Sequence, residues 1–185
     1  MKIAIDYREA IRKNKAGKGV VVFELVQELK RIIDKDWSVD LLVDDNFDFK
    51  DFPDNFRKVV LTWPSMWWHW QAANFVRKNC DLYLTLTSYI APFFLPKDKA
   101  IIMVHDLVAF KDELALKHNK KALMVERWLL PRVVSKVKKI IVPSVSTKND
   151  LINLFGVGQD RIEQIDLGVN LSQRDFTDID VLSVK

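Results

Sequence analysis

The chain of 185 residues is poor in the features that would commit it to several large classes of protein. It has a single cysteine, Cys80, so no internal disulfide can form, and a reduced, cytoplasmic thiol is the simple reading. No apolar run approaches the roughly 20 residues needed to span a bilayer. An acid arrives at position six, in Met1-Lys2-Ile3-Ala4-Ile5-Asp6, too early for a secretory signal peptide. Only five glycines occur, and none forms a Walker loop, a nucleophile elbow or the three-glycine dinucleotide fingerprint. The last absence disfavours a nicotinamide cofactor. There is no cysteine or histidine pattern with metal-ligand spacing, so no metal site is expected.

What is present is a soluble globular balance, 49% hydrophobic and 29% charged, long enough to bury a real core. Short β-branched runs alternate with helix-length segments. Strands are expected at 3–6, 39–43, 58–62, 82–86, 100–104, 139–142 and 161–165. Several are apolar throughout, as in Ile101-Ile102-Met103-Val104, which is how strands covered on both faces read. Val22, Leu25, Val26, Leu29, Ile32 and Ile33 follow a helical stripe. A helix is expected over about 120–138, kinked or divided by Pro131. Another is expected from near Thr147 to Phe155, closed by Gly156 in the left-handed conformation. The expected fold is α/β: a Rossmann-like, doubly wound, mostly parallel sheet of about seven strands. The domain is placed at residues 1–169. Residues 170–185 read as a linker toward a missing second domain.

In an open α/β sheet, ligands gather at the carboxyl ends of the strands. Three groups fall there. Gly17 and Gly19, with Lys18 between them, lie between the first strand and first helix, where backbone N–H groups can approach an anion. His105-Asp106 follows the fifth strand directly; the imidazole is a candidate hydrogen-bonding group or general base and the carboxylate a candidate orienter. Ser144 follows the sixth strand, with Lys148 in the helix beyond; its hydroxyl is expected to cap that helix, and a ligand contact is the lesser alternative.

Two surface features complete the inventory. Trp63, Trp67, Trp68 and Trp70 crowd eight positions, and at least one is expected to be exposed. Such rings suit a sugar, a lipid or a partner, or the apolar face of an amphipathic helix. Between Lys117 and Lys139 eight Lys or Arg residues, among them Lys120, Lys121 and Arg127, meet one acid, Glu126. That run is either a solvated helix face or a surface for phosphate or anionic lipid. Trp67, Trp68, Lys120, Lys121 and Arg127 are therefore the candidate acceptor or membrane surface.

Taken in order, these pieces resemble the family 4 glycosyltransferases of the GT-B fold. The carrying residues are Ala16-Gly17-Lys18-Gly19 before Glu24-Leu25, then Val104-His105-Asp106-Leu107 and Ile141-Val142-Pro143-Ser144. Thr147-Lys148-Asn149-Asp150-Leu151 and Phe155-Gly156-Val157 follow, leading through Asp160-Arg161-Ile162 to Asp166-Leu167-Gly168-Val169-Asn170. The resemblance covers the family's first Rossmann-like domain. The glutamate pair of the second domain, spaced Glu-x7-Glu, has no counterpart here.

The resemblance implies a retaining hexosyltransferase that uses a nucleotide-sugar donor and no tightly bound cofactor or metal. His105 and Asp106 would serve catalysis, and Gly17, Lys18, Gly19, Ser144 and Lys148 would bind donor or acceptor. The acceptor would be a glycan or lipid-linked sugar of polysaccharide or cell-envelope biosynthesis. The other partners would be the enzyme's own second domain and, peripherally, the inner face of the membrane, but not nucleic acid. Val20 and Val21 stand where relatives often carry Arg and Tyr, and Asn170 where they close on Asp. The alternative from the residues themselves is a non-catalytic α/β module for an anionic membrane surface or a protein partner.

Overall fold

The computed structural model describes residues 1–15, 17–111 and 120–168, with side chains at all of these except 111 and 120–123. The segment expected to be a linker lies outside the described residues. Seven strands form one sheet: β1 (Lys2–Asp6), β2 (Ser38–Val43), β3 (Phe56–Val60), β4 (Leu82–Thr85), β5 (Ala100–Met103), β6 (Lys139–Val142) and β7 (Ile162–Gln164). Their order is β3-β2-β1-β4-β5-β6-β7 and every pairing is parallel. β1 is central, with Ile3, Ala4 and Ile5 facing Val39, Asp40 and Leu41 on one side and Leu82, Tyr83 and Leu84 on the other.

Among the described residues six α-helices connect these strands: α1 (Gly17–Ile32), α2 (Met66–Asn79), α3 (Ile90–Phe94), α4 (Val108–Lys111), α5 (Lys120–Val134) and α6 (Val145–Phe155). The layers are unequal. Val22 and Val26 of α1 pack with Ile5, Val39, Leu41, Val43 and Met103 on one face. On the other face α2, α3, α5 and α6 bury Trp68, Ala72, Ala91, Leu130, Val133 and Leu151 against Ala4, Leu42, Tyr83, Ile102 and Ile140. Alternate residues of the same strands thus enter different cores, as the period of two requires. Among the described residues no helix is long and apolar enough to cross a membrane.

Three boundaries differ from expectation. α1 begins at Gly17, before the apolar stripe, because a short 3-10 turn at Arg8–Ile11 packs against its first turn and supports it. α6 begins at Val145 rather than near Thr147, since the Ser144 hydroxyl accepts the Thr147 N–H and is the N-cap. Pro131 does not divide α5, which runs through it. Gly156 does close α6 in the left-handed conformation, with φ 62°. A Cβ there has open space, so Gly156→Ala should lose only the backbone strain, about 1–2 kcal/mol in chemical denaturation.

Candidate functional site at the carboxyl edge of the sheet

The strand order turns around between β1 and β4, and the chains leaving these two strands open a crevice at the carboxyl edge. Asp6-Tyr7-Arg8 ends β1 and Leu86-Thr87-Ser88 follows β4. One strand further along, Val104-His105-Asp106 leaves β5, and Pro143-Ser144 leaves β6.

His105 is half-buried, and its Nε2 lies 2.8 Å from the Leu86 carbonyl. A carbonyl only accepts, so Nε2 carries the hydrogen and Nδ1 holds the lone pair of the neutral ring. Burial pushes the imidazole below its ordinary range. The Leu86 contact opposes this fall, Lys18 adds to it, and Asp106 opposes it. Its backbone is held from the far side: Thr147 Oγ1 donates to the His105 carbonyl at 3.3 Å, and Thr147 is itself tied to Ser144. Asp106 is exposed, and its Oδ1 accepts the Val108 N–H at 3.2 Å, turning the chain into α4. Glu126 of α5 faces the same space. Its carboxyl is raised chiefly by burial, with Lys18 lowering and Asp106 raising it. Lys18, His105, Asp106 and Glu126, from three different parts of the chain, therefore share one field.

The two glycines, expected in a loop before the helix, lie in the first turn of α1 and do different things. At Gly17 no described residue beyond its chain neighbours and its own helix comes within 4 Å of the position a Cβ would take, so the packing of the described residues does not demand a glycine there. Gly19 is buried, and a Cβ would stand 2.5 Å from the Glu9 carbonyl oxygen and 3.1 Å from its carbon. The close approach anticipated for this loop is thus, at Gly19, to the protein's own 3-10 turn. Gly19→Ala should destabilise the fold by about 1–3 kcal/mol, as overpacking against backbone does, whereas Gly17→Ala should leave the unfolding midpoint unchanged. Thermal unfolding of the two variants compares them directly.

A polar cluster beneath the crevice was not anticipated. Asp6 is buried and grips Arg8 with two hydrogen bonds, Nε to Oδ1 at 3.0 Å and Nη2 to Oδ2 at 2.8 Å. The guanidinium lies 3.5 Å from the centre of the Trp68 ring. Beside it, His69 is buried with Nδ1 lacking a protein partner, and its pKa is pushed down to about 4 by burial and then by Arg8, with Asp6 opposing. The buried Tyr83 hydroxyl also lacks a hydrogen-bond partner of good geometry; burial drives its pKa far up. The available signal was two opposite charges, Asp6 and Arg8, closing an apolar strand at its ligand edge.

The remaining candidates separate. Ser144 uses its hydroxyl as the cap. Lys148, in the first turn of α6, acts electrostatically on Glu163 of β7. Trp67 is exposed, but Trp68 is buried, contrary to its expected place on a surface: its ring carries Arg8 and its Nε1 donates to the Val43 carbonyl at 3.4 Å. Arg127 likewise turns inward, donating from Nε to the Ala109 carbonyl and tying α5 to α4. Lys120 and Lys121 open α5, and their side chains lie outside the described residues. Two cavities flank α1, one of about 520 Å³ toward residues 165–168 and one of about 310 Å³ toward Phe47 and Phe52; neither includes His105. Among the described residues no cluster of three or more His, Cys, Asp or Glu side chains could hold a metal ion.

Fold and site define a doubly wound, Rossmann-like domain with a charged group of side chains at the ligand edge of its parallel sheet. The family model of Glycosyltransferase Family 4 matches residues 16–173, and the chain belongs to that family. No curated protein matches it in sequence. Among solved structures it is similar to a glycosyltransferase from Rickettsia africae ESF-5, with 15% identity and a TM-score of 0.49. The match covers 91% of this chain and 43% of that one, so the chain spans less than half of that protein's length.

Proposed function

We propose that the chain is the acceptor-side half of a two-domain, retaining hexosyltransferase that moves sugar from a nucleotide-sugar to a glycan or lipid-linked acceptor. The observation carrying this reading is the convergence of Lys18, His105, Asp106 and Glu126 at the carboxyl edge of a family 4 glycosyltransferase domain. His105, held as a neutral ring with Nδ1 unprotonated, accepts a hydrogen bond from a donor-sugar hydroxyl. Asp106 orients the adjoining group. Lys18, exposed at the head of α1, supplies positive charge near the donor phosphates, and at Gly17 no described residue beyond its chain neighbours and its own helix bars their approach to the helix N-terminus. A second Rossmann-like domain closes the cleft and holds most of the nucleotide, so no resident cofactor is proposed for this half.

Two measurements test the reading together. In the chain joined to its second domain, His105→Ala should lower turnover of the nucleotide-sugar about 10²-fold, the usual loss for one transition-state contact, while the unfolding midpoint stays put. Turnover unchanged in that variant would make His105 structural. The chain by itself should transfer no sugar, and robust turnover by it would show that this half already holds a complete site.

A further inference from the structure

The smaller cavity beside α1, of about 310 Å³, is lined by none of the group around His105. Its walls come from α1 and from the helix-free crossover 44–55 between β2 and β3. Tyr7 and Ala10, both buried, form its floor. Tyr7 stands between Asp6 and Arg8 in the chain but packs in the α1 core, whereas Trp68, which carries Arg8, packs in the core on the other face of the sheet. The cavity and the Arg8 cluster are therefore back to back.

Tyr7, Phe47 and Phe52 make one aromatic wall. Their ring centres lie 5.5, 5.9 and 6.4 Å apart, and their planes meet at 50°, 81° and 85°. No two of these three rings are parallel, so they leave no slot for a flat base or a further aromatic ring. A puckered ring, whose C–H groups point in several directions, meets such a wall well. The polar groups sit around it. On the α1 side the Lys15 amino group lies 5.0 Å from the centre of the Phe23 ring. Lys30 lies 4.5 Å from the centre of Phe52 and donates to Gln27 Oε1 at 3.0 Å, and Gln27 hydrogen-bonds the Tyr7 hydroxyl. The crossover adds the exposed carboxylates of Asp48 and Asp51. Among the described lining residues two lysines thus meet two aspartates, and their formal charges cancel. Neither an anion nor a cation is favoured. Donors beside acceptors suit hydroxyl groups, each of which both gives and takes a hydrogen bond.

We propose that this cavity binds one neutral hexopyranose ring, as a sugar subsite on the α1 side of the sheet and away from His105. The ring's C–H face lies on the aromatic wall. Its hydroxyls donate to Asp48 and Asp51 and accept from Lys15 and Lys30. The volume is at the small end for ligand pockets, which limits the occupant to a single ring. Lys15 leads into the first turn of α1, where Lys18 joins the field of His105, so a glycan emerging past Lys15 continues toward the transfer edge. On the acceptor-side reading of this domain the ring is a remote unit of the acceptor glycan; binding of the ring itself does not depend on that reading.

Proton–nitrogen correlation spectra of the full chain test the assignment, with the methyl α-pyranosides of glucose, galactose and mannose and with N-acetylglucosamine as probes. At least one probe should shift the amides of Phe23, Gln27, Phe47 and Phe52 and leave the His105 amide in place. The Kd should be on the order of millimolar, as befits a ligand of about a dozen non-hydrogen atoms. Lys15→Ala with Asp51→Ala, both exposed, should weaken binding about tenfold or more at an unchanged unfolding midpoint. Gln27→Ala repeats the test from the helix side should the double variant fail to fold. No shift at these amides with any of the four sugars at about 100-fold the expected Kd would overturn the proposal. So would binding unchanged in the folded variants. Equal or larger shifts with adenosine or inorganic phosphate would assign the cavity to a base or an anion and likewise overturn it.

Discussion

Asp6→Ala is expected to lower folding stability by about 3–5 kcal/mol, the loss typical of breaking one half of a buried ion pair. The carboxylate is fully enclosed, and it is the charged partner that lets the Arg8 guanidinium lie on Trp68 with only 15% of its side chain exposed. Without Asp6 that cation stays on the Trp68 indole, in the field that already depresses the buried His69, with too little water to compensate. Arg8 cannot simply swing out, because its backbone begins the 3-10 turn whose Glu9 carbonyl abuts Gly19. Adding Arg8→Met to Asp6→Ala should restore a substantial part of the loss, since a matched apolar pair leaves no charge buried. Urea denaturation of the two single variants and the double closes the cycle. A loss below about 1 kcal/mol for Asp6→Ala would mean that Arg8 finds water easily and that the cluster is not a buried pair in the energetic sense.

The second large effect is on pH. His69 has a folded pKa of about 4 against an ordinary 6.5, so between these values the unfolded chain binds a proton that the folded chain refuses. Stability from this site is present in full above pH 6.5, falls as the pH drops from there toward 4, and levels off below, where both forms are protonated. The whole span is worth about 3 kcal/mol. Burial is the main cause, Arg8 adds to it and Asp6 partly offsets it. His69→Phe keeps an aromatic ring against Trp68, whose ring the imidazole meets edge-on at 5.4 Å, but cannot charge. The difference between wild-type and variant stability should therefore slope between pH 7 and 4 and be flat on either side. Parallel curves would show that the imidazole is hydrated in the fold.

The sheet was legible because several of its parallel strands, covered on both faces, read as short apolar runs, and each of the seven expected strands exists. The largest displacement is β3, which starts at Phe56 rather than Lys58. It is an edge strand in which Phe56 alone is fully buried while Arg57 and Val60 are exposed, and the apolar run Val59-Val60-Leu61 draws the expected start toward the later residues. The helical phase of 63–70 was not legible. With tryptophans at four of eight positions the pattern does not say which ring faces in, and the decision came from Arg8 and the Val43 carbonyl, both distant in sequence from Trp68. Gly19 illustrates a different limit. A glycine near the head of a helix signals close approach, but nothing local says whether the approaching atom belongs to a ligand or, as here, to Glu9. His105 and Ser144 were placed at the carboxyl edge from strand ends alone, and the Thr147 link between them needed the folded register of β5 beside β6.

The central position of β1 also sets the order in which this sheet can be made on the ribosome. β1 is the first of the seven strands synthesised, and β2 and β3 follow within the next 54 residues to complete one side of it. Its other neighbour, β4, is not translated until residues 82–85, so the edge carrying Ile3, Ala4 and Ile5 has no native partner in the meantime. At typical synthesis rates of about 5–20 residues per second, the stretch from the end of β3 to β4 takes roughly one to five seconds. A nascent three-stranded half-sheet with an open apolar edge is a substrate for chaperones, and rare codons or pauses between positions 60 and 82 would lengthen its exposure and raise the fraction lost to aggregation.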